Sequence, residues 1–449
     1  MHAANPLRQP RRRFGHGLKA LLLVSVAGLA TLADAAENWP QWRGPSGDSV
    51  STETNLPLTW SESEHVVWKC PLPEWGTSTP AIWGDAIFVT TQQEEKLLLL
   101  RIDAHRGEVV WTREVGSGTF VRTGGRKQTK FHELHNMASP SPVTDGELVV
   151  AHFGNGDLAV YDFAGKQLWK RNLQADYGAY TIWWGHANSP VLVGDLLISV
   201  CMQDSLADLQ ATPSPSYLVA HDKRTGREVW KQPRMTDAKS EECDSYTTPL
   251  LHHGPHGDEL IVMGGNQIDA YDPANGAQRW LLAGIPGGRT ITGPTIAPNL
   301  LGRGVVFTTQ GMRGPLLAIR LGQQGALSGT TDVLWQDRQG TPDTCCPVVW
   351  DDLLFTVSDN GVAVCYDAAT GKRHWQQRLG GDFKASPLAA AGRIYFVAKD
   401  GLTTVVAAKS QYEKLAANQL DDETLASPAV SAGRIYLRGR KHLYCVGDR

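Results

Sequence analysis

The stretch VCYDAATGKRHW, residues 364–375, contains an aspartate, a glycine four residues later and a tryptophan four residues after the glycine. The aspartate side chain can cap a tight turn in which the glycine takes a positive φ. The tryptophan gives the next strand a large flat surface that can pack against a neighbour. The stretch therefore predicts a strand, a tight turn and a second strand.

The same spacing recurs along the chain, which indicates an internal repeat. It occurs at Asp103, Gly107 and Trp111, at Asp222, Gly226 and Trp230, at Asp272, Gly276 and Trp280, and one residue shorter at Asp162, Gly165 and Trp169. A repeat with a periodic aromatic residue is typical of β-propeller blades. Helical solenoids would need apolar residues at a 3.6-residue period, which the sequence lacks.

A second pattern, a small or polar residue before a proline and an apolar strand, occurs eight times. It lies at residues 77–85, 139–146, 187–195, 246–251, 291–296, 344–352, 384–392 and 425–433. Further hairpin signals, Asn155-Gly156, Asn360-Gly361 and Asp400-Gly401, lie between the two patterns. Each repeat therefore predicts four short antiparallel strands, and the chain predicts an all-β, eight-bladed β-propeller.

The two ends of the repeat array predict how the ring closes. The last repeat supplies three strands and ends near Val446, whereas HVVWKCPL, residues 65–72, resembles an outer strand without a blade of its own. Pairing the N-terminal strand with the C-terminal blade would remove two open sheet edges. We therefore expect a single propeller over residues 65–449, preceded by an N-terminal lead segment at residues 36–64.

Residues 1–35 predict a signal peptide. Five basic residues precede the apolar run 20–30, and Ala33-Asp34-Ala35 fits an export cleavage site. The leader also carries one acidic residue, so its removal takes the formal net charge from −3 to −7. We expect an exported, periplasmic or extracellular monomer with no transmembrane segment and no nucleic-acid partner. RRRF, residues 11–14, leaves the general and twin-arginine export routes both open.

The repeats resemble a known superfamily. LVAHDKRTGREVW, residues 218–230, and VCYDAATGKRHW are similar to the tryptophan-docking repeats of the pyrroloquinoline quinone (PQQ) propellers. The opening NWPQWRGPSGDSV, residues 38–50, and the closing stretch 426–447 resemble exported bacterial PQQ-binding-like β-propeller proteins. This resemblance covers essentially all of the mature chain. It implies the fold, but the superfamily contains both quinoprotein dehydrogenases and non-catalytic propellers.

Two pairs of cysteines can be considered for disulfides. In PQQ-dependent alcohol dehydrogenases, a disulfide between adjacent cysteines stacks on the quinone, and this chain has Cys345 and Cys346. Cys346, however, lies at a repeat position that elsewhere holds a small residue, so a small apolar role is the alternative. Cys70 and Cys445 lie on the two strands predicted to close the ring, and export would permit a disulfide between them.

The segments that lead into the predicted inner strands should gather around one mouth of the channel. They carry an aromatic and basic set of candidate ligand-binding residues: Arg122, Arg126, Lys127, His135, Trp183, Trp184, His186, Tyr246, Arg289 and Lys384. Such a set suits an anionic or carbohydrate-like ligand, or an acidic protein segment. The alternative is that exposed loops simply carry polar residues.

Two functional hypotheses follow. The first is a non-catalytic exported propeller that binds a protein partner or a small ligand at the channel mouth and uses no cofactor. The second, implied by the resemblance, is a PQQ- and calcium-dependent dehydrogenase, for which Asp176, Asp244, Asp343 and Asp382 are acidic candidates. No family motif for calcium ligands matches, and the chain contains no HExxH, GxSxG or CxxC motif. We therefore assign no catalytic or metal-binding residue from the sequence.

Overall fold

The strands of the computed structural model form eight sheets over the described residues, which are 38–120, 129–203, 215–254, 256–311 and 314–448. The predicted signal peptide lies outside these residues. The first strands of neighbouring sheets contact one another around a common axis, so each sheet is a propeller blade with its first strand innermost. The predicted eight-bladed β-propeller is confirmed.

Strand β1 (Val66–Pro71) precedes the first blade and belongs to the eighth. Blade one consists of β2 (Ala81–Trp83), β3 (Ala86–Gln93), β4 (Lys96–Asp103) and β5 (Val109–Ser117), and blade two of β6 (Val143–Thr144), β7 (Leu148–His152), β8 (Asp157–Asp162) and β9 (Gln167–Asn172). Blade three consists of β10 (Val191–Val193), β11 (Leu196–Cys201), β12 (Tyr217–Asp222) and β13 (Glu228–Pro233), and blade four of β14 (Leu250–Gly254), β15 (Gly257–Met263), β16 (Gln267–Tyr271) and β17 (Gln278–Ala283). A short helix, α1 (Leu173–Tyr177), follows β9, and a 3-10 turn lies at Ser240–Cys243.

Blades five to eight follow the same plan, with one extra strand. Blade five consists of β18 (Thr295–Ala297), β19 (Val305–Thr309), β20 (Leu316–Arg320) and β22 (Val333–Asp337), with the extra strand β21 (Gly325–Ala326) between the last two along the chain. Blade six consists of β23 (Val348–Trp350), β24 (Leu353–Val357), β25 (Val362–Asp367) and β26 (Arg373–Arg378), and blade seven of β27 (Leu388–Ala390), β28 (Arg393–Val397), β29 (Leu402–Ala407) and β30 (Lys414–Gln419). Blade eight contains β31 (Ala429–Ser431), β32 (Arg434–Arg438) and β33 (His442–Val446). A second 3-10 turn lies at Leu300–Gly302.

The ring closes as the sequence predicts. Strand β1 pairs antiparallel with β33, from Val66 opposite Val446 to Pro71 opposite His442. The eighth blade therefore combines the first strand of the fold with its last three strands, and it has four strands like its neighbours.

Tryptophans join the blades at their outer strands. In the described residues, six tryptophans donate their Nε1–H to a backbone oxygen of the next blade, at 2.9–3.0 Å. The pairs are Trp68 with Ala104, Trp111 with Phe163, Trp169 with Lys223, Trp230 with Pro273, Trp335 with Ala368, and Trp375 with Lys409. We call each such contact a Trp dock. Most docks also press the indole against the turn glycine of the next blade, as Trp169 does against Gly226.

The junction between blades four and five is built differently. Trp280 donates to Glu259 of its own blade at 3.3 Å, although the sequence predicts the same unit as in the other blades. Blade five has no Asp-Gly turn to receive the indole. Instead, strand β21 pairs in parallel with β17 and places Gly325 opposite Trp280. A strand added to the sheet edge replaces the dock.

The lead segment, described from residue 38, crosses the inner ends of several blades. Trp39 exchanges two backbone hydrogen bonds with Ile82 of blade one, and Pro40 accepts one from Thr144 of blade two. Ala389 of blade seven bonds to the segment through the backbone of Ser49 and Ser51. The segment therefore spans the axis of the ring on the side opposite the loops that precede the inner strands.

Arg43 anchors this crossing and is almost fully buried, at 1 % exposure. Its guanidinium donates to the Pro294 oxygen at 2.8 Å, to Thr295 Oγ1 at 2.5 Å and to the Pro347 oxygen at 2.9 Å. It also donates to Ser49 Oγ within the segment at 3.0 Å. A buried guanidinium is tolerated where its donors find acceptors, and these bonds tie the segment to blades five and six.

All seven cysteines are buried and free, so neither disulfide considered from the sequence is present. The register of the closing strands explains why Cys70 and Cys445 are not joined, because Cys70 faces Leu443 and Cys445 faces Trp68. Burial raises the pKa of the Cys70 thiol to about 11 and that of Cys445 to about 12, which keeps both protonated and unreactive. Over the described residues, no helix has the length and apolar content needed to cross a membrane.

Candidate functional site

The small residues at the start of the inner strands form a ring around the axis. The backbone N–H of one blade donates to the side chain of the next. The donors and acceptors are Thr79 to Ser141 Oγ at 2.9 Å, Ser141 to Ser189 Oγ at 2.9 Å, Ser189 to Thr248 Oγ1 at 3.3 Å, Gly293 to Cys346 Sγ at 3.1 Å, Cys346 to Ser386 Oγ at 3.0 Å, and Ser386 to Ser427 Oγ at 3.0 Å. Cys346 therefore takes the place of a serine in this ring.

The ring has a gap at the fifth blade, where Gly293 has no side chain to accept from Thr248. The indole of Trp42, from the lead segment, occupies this position. A Cβ atom built on Gly293 would approach the Trp42 ring to 3.1 Å. The missing side chain therefore makes room for Trp42, and this explains the one glycine in an otherwise hydroxyl- or thiol-bearing ring.

An axial cavity of about 580 Å³ lies between Trp42 and the loops that precede the inner strands. Its wall contains ring hydroxyls, aromatic side chains and charged pairs. The lining residues are Trp42, Thr77, His132, Leu134, His135, Ser139, Ser141, Trp184, Ala187, Ser189, Glu241, Tyr246, Thr248, Arg289, Ile291, Asp343, Thr344, Asp359, Lys384, Ser386, Leu425 and Ser427. A volume of this size falls within the range of about 300–1,000 Å³ that is usual for small-molecule sites.

The structure brings together part of the predicted ligand-binding set. His135, Trp184, Tyr246, Arg289 and Lys384 line the axial cavity. Arg122, Arg126 and Lys127 lie outside the described residues. The remaining two predicted residues, Trp183 and His186, do not line it.

The aromatic wall is held by hydrogen bonds to its polar edges. Trp184 Nε1 donates to Glu241 Oε1 at 3.1 Å, and the Trp184 backbone oxygen lies 2.7 Å from His135 Nε2. Behind the wall, the ammonium of Lys130 lies over the rings of both Trp183 and Trp184, at 4.7 and 4.1 Å. Trp183 therefore supports Trp184 from outside the cavity.

The two described basic residues of the cavity are each paired with a carboxylate. Arg289 donates to Asp343 at 3.1 Å, and Lys384 donates to Asp359 at 2.7 Å. Burial alone would lower the pKa of the Lys384 ammonium, but the hydrogen bond and charge of Asp359 outweigh it and raise the pKa. With Glu241 included, the described part of the wall has two cations and three carboxylates.

His186 was expected at the mouth but is fully buried between blades two and three. Its ring lies 4.7 Å from that of His152 and 4.9 Å from that of Tyr180. Among the described residues, neither ring forms a well-aligned hydrogen bond, and the Asn188 backbone only partly offsets the effect of burial on the two pKa values. Burial lowers the pKa of His186 well below its ordinary value, and the neighbouring His152 lowers it further. Both imidazoles are therefore neutral near pH 7, and His186 cannot contact a ligand in the cavity.

Among the cavity residues that were missed from the sequence, three shape its wall: Asp359, Glu241 and Trp42. Asp359 lies in a hairpin turn, where it accepts from the backbone N–H of Asp343 and Thr344 as well as from Lys384. Glu241 lies in the 3-10 turn before blade four, and Trp42 comes from the lead segment. The segment NWPQWRG resembled family members, but nothing in its pattern indicated that one tryptophan reaches the axis.

The adjacent cysteines are not placed as they are beside the quinone of PQQ-dependent alcohol dehydrogenases. Such a site needs the adjacent cysteines to present a flat disulfide to the cavity, but Cys345 and Cys346 are free and have no exposed surface. Cys345 packs in the apolar core of blade six, and Cys346 Sγ accepts from the Gly293 N–H. The two side chains are therefore used within the fold.

The acidic residues considered for calcium are not gathered in one place. Asp343 lines the axial cavity, whereas Asp244 is buried and accepts from the Trp183 N–H, and Asp176 lies in α1 and pairs with Arg171. Asp382 instead lines a separate surface depression with Lys399 and Arg440. In the part of the chain that the structure describes, no three His, Cys, Asp or Glu side chains are grouped to hold a metal ion.

A family model described as "Outer membrane protein assembly factor BamB" matches residues 49–212, 214–301 and 322–413 of the chain. A curated relative is the outer membrane protein assembly factor BamB of Burkholderia pseudomallei strain K96243. It is 25 % identical over 383 residues, which are 78 % of this chain and 81 % of the relative.

Solved structures of two kinds share the fold. The quinohemoprotein alcohol dehydrogenase from Comamonas testosteroni has a TM-score of 0.67 at 12 % identity, over 92 % of this chain and 81 % of that one. BamB from Moraxella catarrhalis has a TM-score of 0.58 at 13 % identity, over 85 % of this chain and 99 % of that one. At such low identity these structures share the architecture alone, and it serves both an enzyme and an assembly factor.

Proposed function

This chain belongs to the outer membrane protein assembly factor BamB family, and we propose that it is a non-catalytic, exported binding propeller whose recognition site is the axial cavity. One observation carries the proposal: the cavity is preformed, and its polar side chains are held by one another. Arg289, Lys384 and Trp184 each have a carboxylate partner before any ligand arrives. Such prearranged groups favour binding because little side-chain entropy is lost.

The proposed location in the cell rests on the leader. The sequence pattern of residues 1–35 supports export to the periplasm or the outside of the cell. The name of the relative, an outer membrane protein assembly factor, supports a protein partner in that compartment. A small ligand in the cavity is the alternative occupant, because the cavity has the volume usual for one.

The test is capture of a partner or ligand by the mature chain, compared with variants of the cavity. The wild type, Trp184→Ala and Arg289→Ala are each tagged, exposed to a cell-envelope extract and analysed by mass spectrometry of bound protein and small molecules. Met235→Ala is the matched control, because Met235 is 72 % exposed and lies outside the cavity. We expect at least one bound species to be retained by the wild type and the control and lost in both cavity variants.

The competing hypothesis is tested on the same protein. PQQ and calcium are added to the mature chain, and quinone absorbance and dye reduction with alcohols are followed. Stoichiometric binding of PQQ with dye reduction would establish a dehydrogenase and overturn the proposal. A captured species that binds the cavity variants as well as the wild type would remove the axial cavity as the recognition site.

A further inference from the structure

The charge balance of the described wall of the axial cavity favours one class of ligand over another. An anionic ligand needs cations whose charge is not already neutralised, but Arg289 and Lys384 are paired with Asp343 and Asp359. A ligand anion that replaced either carboxylate would leave that partly buried carboxylate without its cation, which is costly. Glu241 adds a further negative charge to the wall. The described wall therefore disfavours an anion.

We infer that the cavity binds a neutral, hydroxyl-rich ligand, in particular a saccharide of a few units; this rests on the proposed function. A hydroxyl group both donates and accepts hydrogen bonds, and each ion pair of the wall offers a carboxylate acceptor beside a cationic donor. Neighbouring hydroxyls of a sugar ring can therefore bind both members of a pair without separating them. The ring hydroxyls of Ser141, Ser189 and Ser386 extend the same chemistry toward the axis.

The aromatic residues add the second half of such a site. A sugar ring has apolar C–H faces that pack on flat aromatic rings, and Trp42 and Trp184 both contribute to the cavity wall. The Trp184 indole is fixed in orientation by its bond to Glu241 and by Lys130 behind it. Trp42 is fixed by its seat against Gly293. The structure therefore offers two immobilised apolar surfaces between paired charges.

The lead segment restricts how the ligand enters. It crosses the axis from blade one to blade seven and places Trp42 at the inner end of the cavity. A polymer cannot pass through at that end, so the ligand is a free short oligosaccharide or the terminal units of a longer glycan chain. Both have the same chemistry, and the probes below distinguish them.

The experiment is titration calorimetry on the mature chain, with intrinsic tryptophan fluorescence as a second readout. The probes are maltotriose, cellotriose and N,N′,N″-triacetylchitotriose as neutral ligands, with trigalacturonate and inorganic phosphate as anions. We expect one neutral trisaccharide to bind. Its affinity should fall at least tenfold in Trp184→Ala. Met235→Ala should bind as the wild type does. The matching polysaccharide, before and after digestion that multiplies its chain ends, then shows whether chain ends are bound.

A second variant tests the charge argument itself. In Asp359→Asn, the side chain keeps an acceptor for the Asp343 and Thr344 N–H groups, but Lys384 loses its carboxylate. We expect affinity for the neutral trisaccharide to fall and affinity for trigalacturonate to rise by at least tenfold. Circular dichroism and the thermal midpoint confirm that the variant folds.

The outcomes separate this inference from the proposed function. If no neutral saccharide binds but a partner is captured in a Trp184-dependent way, the inference is wrong and the binding propeller stands. If the anions bind the wild type and the neutral sugars do not, the inference is also wrong. If no saccharide or anion binds and no species depends on Trp184 or Arg289, both proposals fall.

Discussion

The interface between the second and third blades has two edges of opposite character. At the outer edge, Trp169 is 8 % exposed, donates to the Lys223 oxygen at 2.9 Å and covers the turn glycine Gly226. At the inner edge, His152 and His186 are buried side by side, and only the Asn188 backbone interacts weakly with their rings. At the outer edge the indole N–H has its acceptor in the next blade, whereas the inner edge buries two imidazole rings side by side at a cost.

The two edges differ because one is made by the repeated unit of the blades and the other includes a non-repeating segment. The outer edge is made by the repeated unit, which has one task, to join a blade to its neighbour. The inner edge includes the non-repeating segment 180–188, which also supplies Trp184 to the axial cavity. The stabilising contacts should therefore lie mainly at the outer edge, and the site is built next to an edge that is less stable and sensitive to pH.

The largest effect is expected from breaking the outer edge. Trp169→Ala removes a buried indole and its hydrogen bond, which should lower the free energy of unfolding by about 4 kcal/mol. Thermal and denaturant unfolding of the mature chain measure the loss. Trp169→Phe keeps most of the apolar contact and should recover more than half of it. A loss below about 1 kcal/mol in the alanine variant would mean that the dock does not stabilise the interface.

The inner edge should respond to acid. Burial lowers the pKa of His152 from 6.5 to about 4. As the pH falls from 6.5 to 4, His152 becomes protonated in the unfolded chain but stays largely neutral in the folded chain. The free energy of unfolding therefore falls with pH, by about 3 kcal/mol for this one group at pH 4.

The control for this pH dependence is His152→Phe, which cannot be protonated. Its stability should change less between pH 7 and pH 4 than that of the wild type, as followed by denaturant unfolding at each pH. An unchanged slope would assign the acid sensitivity to other groups, such as His221 beside Trp169 at the outer edge, whose pKa burial also lowers to about 4.

A finer test separates the backbone from the dock at the outer edge. Gly226 and Gly194 both lie in turns of blade three with positive φ, 71° and 58°. A Cβ on Gly226 would meet Trp169 at 2.6 Å, whereas a Cβ on Gly194 would meet nothing within 4 Å. Gly194→Ala should cost about 1 kcal/mol from backbone strain, and Gly226→Ala about 2 kcal/mol more. Equal thermal midpoints for the two variants would show that the indole moves aside freely.

The smallest change in stability is expected at the cavity itself. Trp184 faces the cavity on one side, so Trp184→Ala should lower the free energy of unfolding by about 1 kcal/mol, far less than Trp169→Ala. The same variant should lose ligand or partner binding. Comparing thermal midpoints and binding for these two tryptophans tests directly whether joining the blades and recognition are carried by different edges.

The sequence predicted the repeated parts of the fold well, because five of the blades carry the same local pattern of turn and tryptophan. The docks of Trp111, Trp169, Trp230 and Trp375 follow the predicted spacing. Trp280 has the same spacing but a different contact, because its partner would have to come from the next blade. A local pattern specifies one half of a dock and says nothing of the other half.

The cavity was predicted less completely for the same reason. Arg289 and Lys384 were found as charges at the mouth, but their pairing with Asp343 and Asp359 depends on neighbouring blades. The sequence predicts His186 near the mouth of the channel, because a single sequence does not show which residues of a non-repeating segment are buried. The lead segment had no periodic pattern, so the position of Trp42 at the axis depended wholly on tertiary contacts.

The pairing of β1 with β33 has a consequence for how the chain folds. Most blades are made of consecutive strands, so their contacts can form within a short stretch of newly made chain. The eighth sheet instead joins Val66 to Val446, and such a distant contact is slow to form because a very long loop must close. Strand β1 therefore keeps an unpaired edge until β33 has been synthesised. A chaperone that acts on this protein would have that edge to protect.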